Sequence, residues 1–133
     1  MGYAQQMIEA HPGQAAVDAQ KLAECIEACF DCAQTCGACA DACLGEEEVQ
    51  SLARCIRLDL DCADICDATG KVLSRQTAFE ADMVRGAVEA CARACKLCGD
   101  ECEGHAEHHE HCKVCAEACR RCENACNEVL QAL

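Results

Sequence analysis

Aromatic residues, proline and positive charge are all scarce in this chain of 133 residues. There is no Trp, one Tyr and two Phe, so an ordinary hydrophobic core is hard to assemble unless cysteine contributes to it. Lys and Arg number 11 against 24 Asp and Glu, which gives a formal net charge of −13. Nucleic acids and anionic membrane surfaces call for basic patches, so this composition argues against both as partners.

Long apolar runs are missing as well. Residues 1–10 are mostly polar and form a short amphipathic segment rather than a signal peptide, and no stretch is long and apolar enough to span a membrane. We therefore expect a cytoplasmic protein, in which thiols stay reduced. Strictly alternating patterns and β-branched runs are absent too, which argues against β-strands.

Cysteine is abundant: it makes up 18 of the 133 residues, and most cysteines are separated by alternating steps of three and four. This spacing is typical of the buried positions of helices in a bundle, with cysteine in place of leucine. Neutral thiols are therefore expected to form the core of the metal-free protein. The runs are Cys25, Cys29, Cys32, Cys36, Cys39 and Cys43; Cys91, Cys95, Cys98 and Cys102; Cys112, Cys115, Cys119, Cys122 and Cys126; and a sparser set, Cys55, Cys62 and Cys66.

Glycine, proline and capping signals divide the chain into four main helices. Glu46 and its two acidic neighbours are expected to open the second helix, where they would match the helix dipole. Thr77 and Glu80 are expected to form a capping box before the third. The first two predicted helices span about residues 14–44 and 46–73. The third runs from the capping box to residue 103, and the fourth spans about residues 106–131. Short connections between these helices predict an all-α fold, with an antiparallel up-down-up-down four-helix bundle over residues 14–133. Residues 1–13 are predicted to be an N-terminal extension that contains a short helical segment.

Antiparallel alignment of these helices predicts two different ends. One end lacks cysteine, and Met83 is interpreted as a core residue there; its apolar residues are Leu22, Leu73, Val84, Val88, Leu130 and Leu133. The other end combines cysteines with histidines and is predicted to be a mouth open to metal ions. On an ideal helix His108 lies near the centre of the cysteine face, and His105 and His111 flank that face. His109 points away from the cysteine face.

Thiols at these spacings suit metal ions better than disulfides. Cβ atoms three or four residues apart on a helix are about 5–6 Å from each other, whereas a disulfide needs roughly 3.5–4.5 Å. Thiolate-rich sites suit Cu(I), Zn(II) and iron–sulfur clusters. The ferredoxin-type cysteine run followed by proline is absent, which argues against an iron–sulfur cluster. Each C-x2-C pair lies within a run of helically spaced cysteines instead of on the turns typical of zinc knuckles, which weakens the case for structural zinc.

Charge favours Cu(I) among these metals. One monovalent ion per thiolate leaves the interior neutral, whereas a tetrathiolate zinc site keeps net negative charge in a buried place. The sequence therefore predicts a capacity of about one Cu(I) per cysteine, on this charge argument. Asp59 shares the cysteine face of the second helix, where it is expected to hydrogen-bond a thiol or to bind metal weakly.

The chain closely resembles the cytosolic subgroup of bacterial copper storage proteins. The resemblance rests on the spacing of the cysteines and on two segments, CIRLDLDCADIC from Cys55 and HEHCKVCAEACRRC from His109. The resemblance covers residues 25–126. It implies a homotetramer of four-helix bundles, many Cu(I) ions inside each bundle, and cysteine ligands on all four helices. It also favours histidine ligands at the mouth.

The sequence thus predicts a non-enzymatic cytoplasmic Cu(I) store. Its expected ligands are all 18 cysteines together with His105, His108 and His111 at the mouth, and it would exchange copper with copper chaperones or small thiols. Two alternatives remain open at this point: a zinc-storage protein, and a thiol redox protein that uses reversible disulfides. The redox alternative predicts one or two cysteines with a depressed pKa beside a cation or a resolving thiol.

Overall fold

The computed structural model describes residues 2–133, and all its regular secondary structure over that range is helical. The long helices α2 and α4 each pack against both α3 and α5, and the short helix α1 packs against α2. This is an up-down-up-down bundle, so the predicted fold is confirmed. The helices are α1 (Tyr3–Ala10), α2 (Ala19–Leu44), α3 (Ala53–Leu73), α4 (Ala81–Glu103) and α5 (Glu110–Ala132), and a 3-10 turn over Val49–Leu52 leads into α3.

The division into an extension (1–13) and a bundle (14–133) stays a prediction, and Met1 lies outside the described residues. Within the extension, the imidazole of His11 contacts the hydroxyl of Thr77 (Nε2–Oγ1 3.2 Å). This contact ties the segment after α1 to the connection between α3 and α4. Among residues 2–133, no helix is long and apolar enough to cross a membrane.

Several helix starts differ from the predictions. Helix α2 begins at Ala19 rather than near residue 14, because the side chain of Asp18 caps it by accepting a hydrogen bond from the Lys21 N–H (3.0 Å). The predicted capping box of α4 is wrong: Glu80 is the N-cap residue and makes no side-chain capping bond. The helix ends at Leu44, Leu73 and Glu103 were predicted correctly.

The acidic residues 46–48 do not open α3. They lie in the turn after α2, where the backbone N–H of Glu46 donates to the carbonyl of Cys43 (3.2 Å). Helix α5 likewise begins at Glu110 rather than near residue 106, and turns occupy residues 104–108. Both differences lie at the mouth and change which side chains meet there.

Thiols form most of the core. All 18 cysteines are free and buried, and none is more than 2% exposed. They line the axis of the bundle on all four long helices. The prediction that cysteine packs the interior therefore agrees with the structure, while the neutral state of the thiols stays a prediction.

An apolar cluster closes the end of the bundle opposite the mouth. Its buried members are Leu22, Leu73, Val84, Val88 and Val129, while Leu130 and Leu133 are only partly buried. The interpretation of Met83 as a core residue is wrong, since its side chain is 65% exposed. The predicted apolar end is otherwise correct.

Candidate metal centre

The buried thiols form overlapping groups along the bundle axis. In each group the sulfur atoms lie within 4.8 Å of one another. One group takes a single cysteine from each of the four long helices. Neighbouring groups share first Cys122, then Cys32, and then both Cys36 and Cys119. Four such groups are Cys29, Cys91, Cys122 and Cys126; Cys32, Cys66, Cys95 and Cys122; Cys32, Cys36, Cys62 and Cys119; and Cys36, Cys98, Cys115 and Cys119.

The sulfur–sulfur distances between helices fit shared metal ligation. The Sγ atoms of Cys66 and Cys95 are 3.6 Å apart, and those of Cys36 and Cys115 are also 3.6 Å apart. These separations far exceed the roughly 2.05 Å of a disulfide bond. Two sulfurs bound to one thiophilic ion at about 2.3 Å each lie at most about 4.6 Å apart. Metal ions could therefore bridge these thiols with little movement of the helices.

Burial favours the protonated form of two thiols at the mouth, those of Cys112 and Cys43, when no metal is bound. It raises the pKa of Cys112 to about 11 and also raises the pKa of Cys43. A bound cation would replace these protons, so metal uptake releases protons and is pH-dependent.

Asp59 is a carboxyl group buried among the thiols, with no exposed surface. Its Oδ1 accepts hydrogen bonds from the thiols of Cys98 (3.0 Å), Cys115 (3.2 Å) and Cys102 (3.5 Å). Burial, reinforced by the nearby Cys115, raises the pKa of Asp59 to about 8. The expected hydrogen bonding to thiols is confirmed, and weak metal binding by Asp59 stays a prediction.

His111 is the histidine that joins the thiols at the mouth. Its Nδ1 lies 3.4 Å from the Sγ of Cys39 and 3.6 Å from the Sγ of Cys112. These three residues and Cys43 bring their ligand atoms within 4.8 Å of one another. The side chain of His111 is 26% exposed, so this group connects the buried thiols with solvent.

The other predicted histidine ligands are placed differently. His108 lies in the turn before α5 and is exposed, so the helical placement that led to its prediction is wrong. His105 is half-buried, and its Nε2 contacts the carboxylate of Glu101 (2.8 Å). Metal binding by His105 and His108 stays a prediction.

His109 was predicted to point away from the mouth, and this prediction is wrong. Its side chain is 9% exposed, and its ring stacks on that of His111 with the centroids 5.4 Å apart. Its ring nitrogens face the carboxylates of Glu46 and Glu48, the latter at 2.9 Å. Because α5 begins at Glu110, residue 109 does not follow the helical face on which that prediction was based.

Glu46 has a role at the mouth that its helix-dipole interpretation missed. Its carboxylate lies 3.2 Å from Nε2 of His111 and also contacts Nδ1 of His109. Hydrogen bonding with His111 lowers the pKa of Glu46, so the carboxylate stays ionised at neutral pH. No local sequence signal could have found this pair, because its two residues are 65 positions apart.

Residues 18–131 match the sequence model of the family described as copper storage protein. The chain belongs to the copper storage protein family. A search of curated protein sequences returned no match. The residues that place the chain in this family include every buried thiol of the bundle, Cys25 to Cys126.

Solved structures of family members share this fold. A copper storage protein from Streptomyces lividans, loaded with 10 copper equivalents, is 53% identical with a TM-score of 0.96, over 98% of this chain and 99% of its own. A structure of a cytosolic copper storage protein from the same organism, with five coppers, is 58% identical with a TM-score of 0.85, over 86% and 95% of the two chains. A Cu(I)-bound copper storage protein is 40% identical with a TM-score of 0.69, over 78% and 92%.

Proposed function

We propose that this protein is a non-enzymatic store that holds many Cu(I) ions as thiolate complexes inside each bundle. The observation that carries the proposal is the continuous series of thiol groups, whose sulfur atoms lie within 4.8 Å of one another and which share members. Soft thiolate ligands suit Cu(I). The Streptomyces lividans relative loaded with 10 copper equivalents supports the same conclusion.

The proposed capacity is about one Cu(I) per cysteine, with all 18 cysteines as ligands. A Cu(I) ion and the proton that it displaces carry the same charge, so loading to this level keeps the buried core neutral. Divalent ions in closed tetrathiolate sites would leave negative charge in a place that water cannot reach.

We propose that copper is taken up at the mouth formed by Cys39, Cys43, Cys112 and His111. This group is supported by its geometry and by the partial exposure of His111. From there the ions would move inward by exchange between thiolates of neighbouring groups. His105 and His108 remain further candidates at the same end of the bundle.

We also propose that the protein works in the cytoplasm as a homotetramer and exchanges copper with copper chaperones or small thiols. The cytoplasmic location is supported by the relative from Streptomyces lividans that is described as cytosolic. Assembly is supported by apolar side chains on the outer helix faces, where Leu60, Leu97 and Val114 are 44–48% exposed.

Anaerobic titration of the fully reduced protein with Cu(I), in competition with a chromophoric chelator, tests the store. We expect tight uptake of about one copper per cysteine, on the charge argument above, and weaker, smaller uptake of Zn(II) in a parallel titration. Saturation at four or five ions, or a preference for zinc, would overturn the proposal. His111→Ala should slow Cu(I) uptake without reducing the final capacity, and Lys113→Ala, at an exposed position of the same helix, serves as its control.

A further inference from the structure

The imidazole of His111 separates a carboxylate from a pair of thiols. Its Nε2 faces the carboxylate of Glu46 at 3.2 Å, and its Nδ1 faces the sulfurs of Cys39 and Cys112 at 3.4 and 3.6 Å. The two ring nitrogens therefore have chemically different partners. This asymmetry determines which nitrogen can bind a metal ion.

An ionised carboxylate can only accept hydrogen bonds. Nε2 of His111 must therefore carry the proton that is donated to Glu46, and in the neutral ring Nδ1 then keeps its lone pair. That lone pair is directed at the two thiols, where a bound Cu(I) ion would lie between nitrogen and sulfur. A carboxylate behind a ligating histidine is a common means of orienting the ring.

The backbone holds Glu46 in this place. The N–H of Gly45 donates to the carbonyl of Ala42 (3.0 Å), and the N–H of Glu46 donates to the carbonyl of Cys43 (3.2 Å). These bonds join the turn that carries Glu46 to the last turn of α2, which also carries a thiol of the mouth. His109, stacked on His111, contacts the same carboxylate.

We propose that Glu46 is a positioning residue that selects the tautomer of His111 and directs its Nδ1 at the thiols of Cys39 and Cys112. Glu46 acts through His111 and does not itself bind the ion. The effect on copper uptake rests on the proposed function of the mouth. The tautomer of His111 in the copper-free protein does not depend on that function and can be measured separately.

Long-range proton–nitrogen NMR correlations on the reduced, copper-free protein with 15N-labelled histidine show which ring nitrogen carries the proton. We expect His111 to be protonated at Nε2 and unprotonated at Nδ1 in the wild type, in Glu46→Gln and in the control Glu47→Ala. The glutamine keeps an oxygen that accepts the same hydrogen bond, and Glu47 is exposed in the same turn. A proton on Nδ1 in the wild type would overturn the proposal.

Stopped-flow uptake of Cu(I) tests the consequence. We expect Glu46→Ala to slow uptake about 10-fold, the scale typical of a lost partner behind a metal ligand, and Glu46→Gln to restore most of the rate. Equal slowing by both variants would overturn the proposal, because the negative charge rather than the hydrogen bond would then be responsible. Unchanged helical circular dichroism checks that each variant is folded.

A double-mutant cycle with His111→Ala tests whether Glu46 acts through the histidine. If it does, Glu46→Ala should cause no further slowing when His111 is already absent. Additive slowing would overturn the positioning role. Uptake that His111→Ala alone leaves unchanged would instead contradict the proposed uptake route, while the NMR result on the tautomer would still stand.

Discussion

Replacing Asp59 with asparagine should make the copper-free protein more stable at neutral pH and reduce its loss of stability between pH 5 and pH 7. Asp59 is fully buried, and the thiols of Cys98, Cys115 and Cys102 donate to its Oδ1. Asparagine has the same shape and keeps an oxygen in that place, but it has no charge to bury.

The size of the effect follows from the raised pKa of Asp59. An aspartate in the unfolded chain has a pKa of about 3.9, and burial raises that of Asp59 to about 8. The folded state therefore holds the proton more tightly, so this contribution to stability is complete below about pH 3.9 and is lost as the pH rises toward 8. At about 1.4 kcal/mol per pH unit, the wild type should lose roughly 3 kcal/mol of stability between pH 5 and pH 7, a loss that the variant should not show.

Urea denaturation of the reduced, copper-free proteins at pH 5, 6 and 7, followed by helical circular dichroism, measures the difference. Asp61→Asn is the matched control, since Asp61 lies on the same helix, is partly exposed and pairs with Arg57 (2.8 Å). The control should lose stability with pH in parallel with the wild type. The reasoning fails if the curve of Asp59→Asn also runs parallel to that of the wild type.

Three other predictions concern packing, surface charge and copper. Leu73→Ala, in the apolar end of the bundle, should lower the free energy of unfolding by about 2–5 kcal/mol in urea denaturation, because it leaves a cavity. Arg120 contacts Asp100, Glu103 and Glu123, and Arg120→Ala should cost about 1 kcal/mol, less in high salt, as denaturation at two salt concentrations would show. Removal of copper by a chelator should lower the melting temperature while the helical circular dichroism stays unchanged; loss of helicity would contradict a core already packed by thiols.

The spacing of cysteine was sufficient to predict the bundle and its core. Each run places its thiols on one helix face, and a face of small apolar groups must be buried against others like it. Val84 and Val88 could likewise be assigned to the apolar end, because antiparallel helices bring the cysteine-free segments together. These inferences depend only on periodicity and on the order of the helices.

The mouth could not be predicted from periodicity. The placement of His108 and His109 depended on the exact start of α5, and a shift of that start from residue 106 to Glu110 left both outside the helix. The pairing of Glu46 with the histidines joins two turns that are distant in the sequence. Turns of this kind are defined by tertiary contacts, which no helical pattern describes.

Sharing of cysteines between groups bears on the choice of metal. Four cysteines each belong to two of the four-thiol groups: Cys122, Cys32, Cys36 and Cys119. A zinc ion that closed one group with four ligands would leave the next group short of a thiolate unless the shared sulfur bridged both ions, so neighbouring tetrahedral sites compete for ligands. An ion that needs fewer ligands, and whose thiolates can bridge to a second ion, avoids this competition. The arrangement of the thiols, as well as their softness and charge, therefore favours Cu(I) over zinc throughout the bundle.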